Sequence, residues 1–261
     1  MFAKRDNPIS KTNLIKENIY GHGKRLGWIM AHINKSDSIV EFGCGTGYMI
    51  TLPLAKQGYT VYGIDLDKDS IVFGKEIFQQ AGLDPNKLVT LNIVDFEVTP
   101  NIIIASEVLE HIPNQDMVDV LSVLRTKLKP GGQLLVTVPN GYGWFEFESF
   151  VWFKLRLGYL LERLRIVSII QKLRSIDVDN QYPSTLASSP HVQRFTYSSI
   201  QKLMRGNGFE VVSITGSVLF AGPFSNLLFS GFNSIMKLNA VLGHLFPRIA
   251  SGFFIVCKVA N

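Results

Sequence analysis

The sequence predicts an α/β fold: a seven-stranded, mostly parallel sheet with helical insertions. Three observations carry this reading. Short apolar runs alternate with amphipathic helical patterns from about residue 36 to 139. A glycine-rich turn, Gly43 to Gly47, follows the first apolar run directly. Two more strand-type runs, Phe209 to Ile214 and Gly252 to Val259, lie near the C-terminus.

In order, Ser38 to Phe42 reads as the first strand, and the helix after the glycine turn runs to Lys56 and ends at Gly58. Thr60 to Ile64 is the second strand. Asp69 is the expected cap of a helix reaching about Ala81 and closed by Gly82. Leu88 to Leu91 and Ile102 to Ala105 are strands three and four. Met117, Val120, Leu121, Leu124 and Leu128 recur at spacings of three and four, which predicts a helix over Gln115 to Leu128. Lys129-Pro130-Gly131-Gly132 then turns the chain into a fifth strand, Gln133 to Val138. A helix over 196–207 ends near Gly208 and precedes the last two strands.

This organisation implies an N-terminal helical cap over 1–35, in which helices at 12–33 break at Gly21-His22-Gly23. A Rossmann-like core covers 36–139, and an aromatic and basic insertion covers 140–190. Residues 191–261 complete the core and carry an apolar insertion at about 216–250.

A hydrophobic content of 46% with 18% charged residues describes a folded chain and excludes general disorder. The net charge of +5 and pI near 9.1 suit an anionic substrate, an acidic membrane surface or nucleic acid, and equally an ordinary solvated surface. Cys44 and Cys257 have no metal-ligand spacing, so a reduced compartment fits and a disulfide framework does not. The first residues hold no apolar run of signal-peptide type, and the expected location is cytoplasmic. Val211 to Met236 lacks Asp, Glu, Lys and Arg, but Gly222-Pro223 and several Ser and Asn interrupt it. It reads as a buried or interfacial segment, since a spanning helix needs about 20 predominantly apolar residues.

The chemistry starts at Glu41-Phe42-Gly43-Cys44-Gly45-Thr46-Gly47. A strand feeding a glycine turn lets a ligand approach the backbone, because no Cβ intrudes. A dinucleotide fingerprint would place its third glycine at position 48, where Tyr48 stands, so a pyrophosphate site is disfavoured. Asp65 ends the second strand about 20 residues after the turn, where a carboxylate can accept both hydroxyl hydrogens of a ribose. Asp67 is a weaker candidate, because it can instead help to cap the following helix. Asp95 offers an acceptor for an adenine amino group or is an ordinary loop carboxylate, and Phe96 can add apolar contact to the ring.

Together these residues resemble the class I methyltransferases that use S-adenosylmethionine (SAM), in particular the ubiquinone-type small-molecule O-methyltransferases. Glu41-x-Gly43-x-Gly45-x-Gly47, Gly63-Ile64-Asp65, Val94-Asp95 and Leu128-Lys129-Pro130-Gly131-Gly132 stand in that family's order. The resemblance covers 38–139 by motif and 190–259 by pattern. It implies that Gly43, Gly45 and Gly47 border the methionine half of SAM, that Asp65 binds ribose and that Asp95 reads adenine. It further implies that Glu41 orients the loop or reaches the methionine amino group through water, and that Ser106 and Phe96 belong to the cofactor site. Pro100-Asn101 departs from the acidic residue with which the family often opens strand four.

Ala105-Ser106-Glu107-Val108-Leu109-Glu110-His111 resembles the small-molecule enzymes and not the Asn/Asp-Pro-Pro-Tyr motif of enzymes that methylate exocyclic amino groups of bases. On a helical turn Glu107, Glu110 and His111 share one side. They can hold Mg²⁺ or Mn²⁺, with His191 completing the set from across the cap. In the simpler arrangement Glu107 faces SAM, Glu110 is solvated and His111 caps or stacks; no metal ligand is assigned.

Transfer to oxygen needs a base for the hydroxyl proton, and His suits neutral pH. His111, just past the carboxyl end of strand four, is the first choice and His191 the second. A carbon acceptor would need no strong base.

Trp144 to Phe153 is densely aromatic and is followed by Lys154, Arg156, Arg163, Arg165, Lys172 and Arg174 among Leu and Ile. This pattern fits peripheral contact with an anionic bilayer, enclosure of a lipid-like acceptor, or a lid with one core face and one wet basic face. The apolar insertion fits an acceptor pocket or a homodimer interface. No nucleic-acid recognition motif is visible. The functional reading is methyl transfer from SAM to an oxygen of a small-molecule, lipid-linked or sugar-linked acceptor. The alternatives are a SAM-binding regulatory or partner protein without turnover and an RNA 2′-O-methyltransferase.

Overall fold

A computed structural model of the chain describes residues 17–174 and 191–260. Seven strands form one sheet: β1 (Ser38–Phe42), β2 (Thr60–Asp65), β3 (Leu88–Thr90), β4 (Ile102–Ser106), β5 (Gln133–Pro139), β6 (Phe209–Gly216) and β7 (Gly252–Val259). Their order is β3-β2-β1-β4-β5-β7-β6, and β7 runs antiparallel to both neighbours while the rest pair in parallel. The order reverses between β1 and β4, the place where ligands collect outside the carboxyl ends of open α/β sheets.

Central strands are apolar on both faces because helices cover both. On one side Val40, Ile103, Leu134 and Val136 pack with Leu121 and Leu124 of α4 (Asn114–Lys127) and with Ile200 and Met204 of α8 (Tyr197–Gly206). On the other, Ile39, Ile102, Ile104 and Leu135 pack with Leu26 and Ile29 of α1 (His22–Met30) and Leu54 of α2 (Thr51–Lys56). The third helix, α3 (Lys68–Gln80), covers Leu88 of β3.

Most elements follow the sequence pattern, with instructive differences. The cap of α3 is Asp67, not Asp69: its carboxylate accepts the Asp69 N–H at 3.1 Å. The helix starts two residues earlier than expected, which leaves Asp69 in the first turn, where its charge still favours the amide end. The strand β6 reaches Gly216 through an irregularity between Val211 and Ser213. In the N-terminal segment α1 begins after Gly21, whose φ of +75° fits the sequence break. The parts of the expected caps at 1–16 and 175–190 lie outside the described residues.

Both insertions are helical. The first holds α5 (Trp144–Ser149), a π-helical stretch Phe150–Lys154, α6 (Leu157–Arg163) and α7 (Ile166–Arg174); the second holds α9 (Pro223–Phe229) and α10 (Asn233–Leu245). Aromatic edges join them, Trp144 to Phe220 at 5.1 Å and Trp152 to Phe224 at 4.8 Å between centroids. Buried Glu148 adds polar ties, accepting the Ser225 N–H at 2.9 Å and the Ser225 hydroxyl. Lys24 fastens α1 to the second insertion by donating to the carbonyls of Gly216, Ser217 and Ala240.

Candidate functional site

The tips of β1 and β2 build one edge of the site. After Phe42 the chain reverses through Gly43, Gly45 and Gly47, with φ of +69°, +54° and +68°. The N–H groups of Gly43 and Cys44 both donate to the carbonyl of Ile64, at 2.9 and 3.1 Å, so the turn is tied to β2. Asp65 adds a second tie: its Oδ2 accepts the Gly45 N–H at 2.7 Å, and its Oδ1 accepts the Asp67 N–H at 2.8 Å. A Cβ at Gly43 would come within 2.4 Å of Val108 Cγ2, so this turn and the loop after β4 touch with no room for a side chain.

Glu41 lies beneath the turn, 4% exposed. One oxygen, Oε2, accepts both the N–H of Thr51, at 2.9 Å, and the Thr51 hydroxyl, which anchors the start of α2. Burial pushes the Glu41 carboxyl up to about 7.

A cavity of ≈ 710 Å³ opens against these tips. Of the residues expected from sequence, Glu41, Gly43, Gly45, Asp65, Ser106 and His111 line it. Gly47 supports the turn without lining the cavity. From the segment after β3 the lining residues are Leu91, Asn92, Ile93 and Val94; Asp95, one residue further, is exposed and outside the lining. Phe96 is in the core, its ring edge-on to Tyr62 at 5.8 Å. Sequence reasoning passed over Arg25, Asn92 and Asp119, which also line the cavity. Arg25 comes from α1, 82 residues before Glu107 in the chain, so no local pattern signals it.

The opposite wall is a polar chain from the end of β4. The Thr137 hydroxyl donates to Glu107 Oε1 at 3.0 Å. Its one proton is thereby used, so Ser106 is the donor in the 2.8 Å contact between the two hydroxyls. Arg25 Nη2 lies 3.8 Å from Glu107 Oε2. Glu107 holds a left-handed φ of +54°, an uncommon backbone for a non-glycine residue, and the N–H it directs at Thr137 O (2.8 Å) helps to keep it there.

Beyond Glu107 the chain makes one 3-10 turn, Leu109–His111, in place of the α-turn that the spacing predicts. Glu110 is consequently not solvated as expected. It is 1% exposed, and neither carboxylate oxygen has a hydrogen-bond partner among the described residues. Burial, with the Glu107 charge adding, holds this carboxyl well above the ordinary carboxylate range. The backbone brings His191 to the same place: Val192 and Gln193 donate their N–H groups to Glu110 O at 2.9 and 3.0 Å, and Gln193 Nε2 donates to Ile112 O. The rings of His111 and His191 stand 5.0 Å apart, and donor atoms of Glu110, His111 and His191 all lie within 4.8 Å of one another. Glu107 is not in that set.

The cavity volume falls in the range typical of cofactor and small-ligand sites. Its carboxylates, Glu41, Asp65, Asp67, Glu107 and Asp119, suit a ligand with cationic groups, and its glycine turn suits one that lies against backbone. SAM, with a sulfonium, an ammonium and a ribose, meets these demands.

Comparison with known proteins agrees. The family described as "Methyltransferase domain" matches residues 23–214. A mitochondrial ubiquinone biosynthesis O-methyltransferase from Rattus norvegicus is 26% identical over 230 residues, covering 84% of this chain and 54% of the relative. A probable cobalt-precorrin-6B C(15)-methyltransferase from Methanothermobacter thermautotrophicus is 35% identical over 118 residues, 41% of this chain and 55% of that protein. The chain thus spans about half the length of these curated relatives. Among solved structures, a SAM-dependent methyltransferase from Methanosarcina mazei superposes with a TM-score of 0.55 at 18% identity, covering 90% of this chain and 98% of that one. Magnesium protoporphyrin IX methyltransferase from Synechocystis, solved with S-adenosylhomocysteine, gives 0.52 at 14% identity, with 92% and 81% covered. The chain belongs to the class I SAM-dependent methyltransferase family.

Proposed function

We propose that this chain transfers a methyl group from SAM to an oxygen of a small-molecule, lipid-linked or sugar-linked acceptor. The observation that carries the cofactor half is the bond between Asp65 and Gly45. It fixes a carboxylate beside an open backbone turn, and each oxygen keeps a lone pair for a ribose hydroxyl. In this reading Glu41 orients the loop through Thr51, Gly43 and Gly45 border the methionine half, and Asn92 and Val94 flank the adenine. Asp95 can reach adenine only from outside the present lining.

When bound, SAM supplies an electrophilic methyl on a sulfonium. The residues of the chain then have to align the acceptor, exclude water and take one proton. His111 lines the cavity and takes that proton; His191, edge-on to it, orients the ring or serves as the alternative base. The polar chain Ser106–Thr137–Glu107 fixes the wall between cofactor and base. The choice of oxygen is supported by the ubiquinone O-methyltransferase relatives and by this histidine pair.

A second reading, in which a divalent cation joins the site, is favoured by Glu110. A buried carboxylate without hydrogen bonds is costly, and a cation held with His111 and His191 would satisfy it. Such an ion would lower the pKa of an acceptor hydroxyl, with His111 then acting as ligand.

The test is to incubate the protein with labelled SAM and metabolite, lipid and RNA extracts and to look for a product one methyl group heavier. A methylated small molecule or lipid supports the reading. Labelled RNA moves the assignment to 2′-O-methylation, and SAM binding without product in any fraction points to a regulatory protein.

A further inference from the structure

Lys24 and Arg25 are consecutive on α1, and successive side chains of a helix point about 100° apart. The first reaches the second insertion and the second lines the cavity. The Lys24 ammonium donates to Gly216 O at 3.0 Å, to Ala240 O at 2.7 Å and to Ser217 O. Gly216 ends β6, Ser217 follows it, and Ala240 belongs to α10. These segments cross with almost no space between their backbones. A Cβ at Gly243 would collide with Ser217 O, and one at Gly216 with Gly243 O. Buried Asn239 ties the same crossing, accepting the Phe220 N–H at 2.7 Å and donating to Phe220 O at 2.6 Å. At the start of α1 a Cβ on Gly21 would stand 2.9 Å from Val218 Cγ1, so the helix leaves this frame from close contact. Burial lowers the Lys24 pKa to about 8, and its three carbonyl partners offset the loss of water around the charge.

Arg25 has fewer ties. Its Nη2 lies 3.8 Å from Glu107 Oε2, beyond hydrogen-bond distance, and its buried Nε has no hydrogen-bond partner among the described residues. Of the described residues that line the cavity, Arg25 is the one Lys or Arg, and it stands among five carboxylates. SAM brings one anion into these acidic surroundings, the carboxylate of its methionine end. A guanidinium matches a carboxylate in charge and in planar geometry. We propose that Lys24 is a positioning residue for the cofactor: by clasping the end of β6 and α10 it fixes α1 so that Arg25 meets the SAM carboxylate, and so couples the second insertion to SAM affinity. Without the clasp, the α1 register that aims Arg25 is held by packing alone, and the guanidinium keeps only the Glu107 charge beside it. The inference rests on the SAM reading above and adds to it a residue outside the cavity.

The experiment is titration calorimetry of the full chain with two ligands, S-adenosylhomocysteine and its decarboxylated form, which keeps the adenosine and the amine. Arg25→Met should weaken S-adenosylhomocysteine roughly 10- to 100-fold, the worth of a hydrogen bond between charged groups, and leave the decarboxylated ligand nearly unchanged. Lys24→Met removes the three donors and keeps the length of the side chain. It should show the same selectivity with a loss of about tenfold, the lower end of that range. In the Arg25→Met background Lys24→Met should cost nothing further, because the residue it aims is gone. A melting curve identifies a variant that does not fold. Lys24→Gln, which keeps two N–H donors, then takes the place of Lys24→Met with the same expected selectivity. Equal loss for both ligands, full additivity with Arg25→Met, or unchanged S-adenosylhomocysteine affinity in Lys24→Met overturns the proposal and leaves Lys24 a purely structural tie. A parent chain that binds neither ligand overturns the cofactor reading itself, a result distinct from all of these.

Discussion

Asp65 Oδ2 accepts the backbone N–H of Gly45 at 2.7 Å, so the tip of β2 holds the glycine turn at the tip of β1. The same carboxylate therefore shapes the turn and faces the cavity. Asp65→Ala removes two ties to backbone N–H groups together with the ribose acceptors. At about 1.5–3 kcal/mol per hydrogen bond to a charged group, SAM affinity should fall about a hundredfold or more. Asp65→Asn, which keeps one acceptor oxygen, should lose less. Titration calorimetry with SAM and S-adenosylhomocysteine measures both, and an unchanged affinity in Asp65→Ala removes the ribose assignment.

Gly43 carries a separate prediction because two costs act on one atom. Its φ of +69° disfavours any Cβ, and that Cβ would meet Val108 Cγ2 at 2.4 Å. Gly43→Ala should lower the denaturation midpoint and abolish tight SAM binding. Adding Val108→Ala removes the 2.4 Å contact and leaves a tight one of 3.0 Å to the Cβ at position 108, and the backbone strain remains at about 1–2 kcal/mol. Urea unfolding of the single and double variants separates the parts. Full rescue by Val108→Ala would mean that the positive φ costs nothing.

The strands and the glycine turn were legible in the sequence because their signals are local. Apolar runs, turn residues and spacing report on neighbours along the chain. What was not legible depends on contacts between distant segments. Arg25 enters the site from α1, and buried Glu110 is met through its carbonyl by the N–H groups of Val192 and Gln193, from a segment far along the chain. Phe96 and Asp95 show the same limit at shorter range: the 3-10 turn Ile93–Asp95 turns Phe96 into the core and leaves Asp95 in solvent. The cap of α3 moved from Asp69 to Asp67 because either carboxylate can serve and only the helix start decides.

Glu41 predicts a pH dependence. Its folded carboxyl titrates at about 7, above the ordinary 4.5. Between those values the native state holds a proton that the unfolded chain has lost, so stability falls as pH rises from about 4.5 to 7. The difference corresponds to about 3 kcal/mol at most, at 1.36 kcal/mol per pH unit. Glu41→Gln keeps an acceptor for Thr51 and removes the titration. Its unfolding free energy should lack this slope and should match or exceed that of the parent at pH 8. A parental slope retained in Glu41→Gln would assign the effect to another group.

His111 is predicted to act on turnover and not on cofactor affinity. On whichever acceptor the mass shift identifies, His111→Ala should lower kcat by about 10²–10⁴-fold, the usual worth of a positioned base. SAM affinity should stay within a few-fold of the parent. His191→Ala should reduce kcat less if His191 only orients the neighbouring ring. An equally active His111→Ala variant would transfer the role to His191 or to no base at all, as a carbon acceptor would require.

Glu110 separates the two readings of the histidine pair. In metal-free protein its unpartnered carboxylate is a burden, so Glu110→Leu should raise the unfolding free energy by about 1–3 kcal/mol with EDTA present. If the carboxylate is retained to hold a cation with His111 and His191, the same variant should lose Mn²⁺ binding, measured by the paramagnetic signal of free Mn²⁺. Its activity should then fall as the activity of the parent does in EDTA. Stabilisation with activity intact in EDTA would leave His111 as a base acting without metal. Destabilisation in EDTA would show instead that Glu110 is held by a partner, and the cation reading would lose its physical motive.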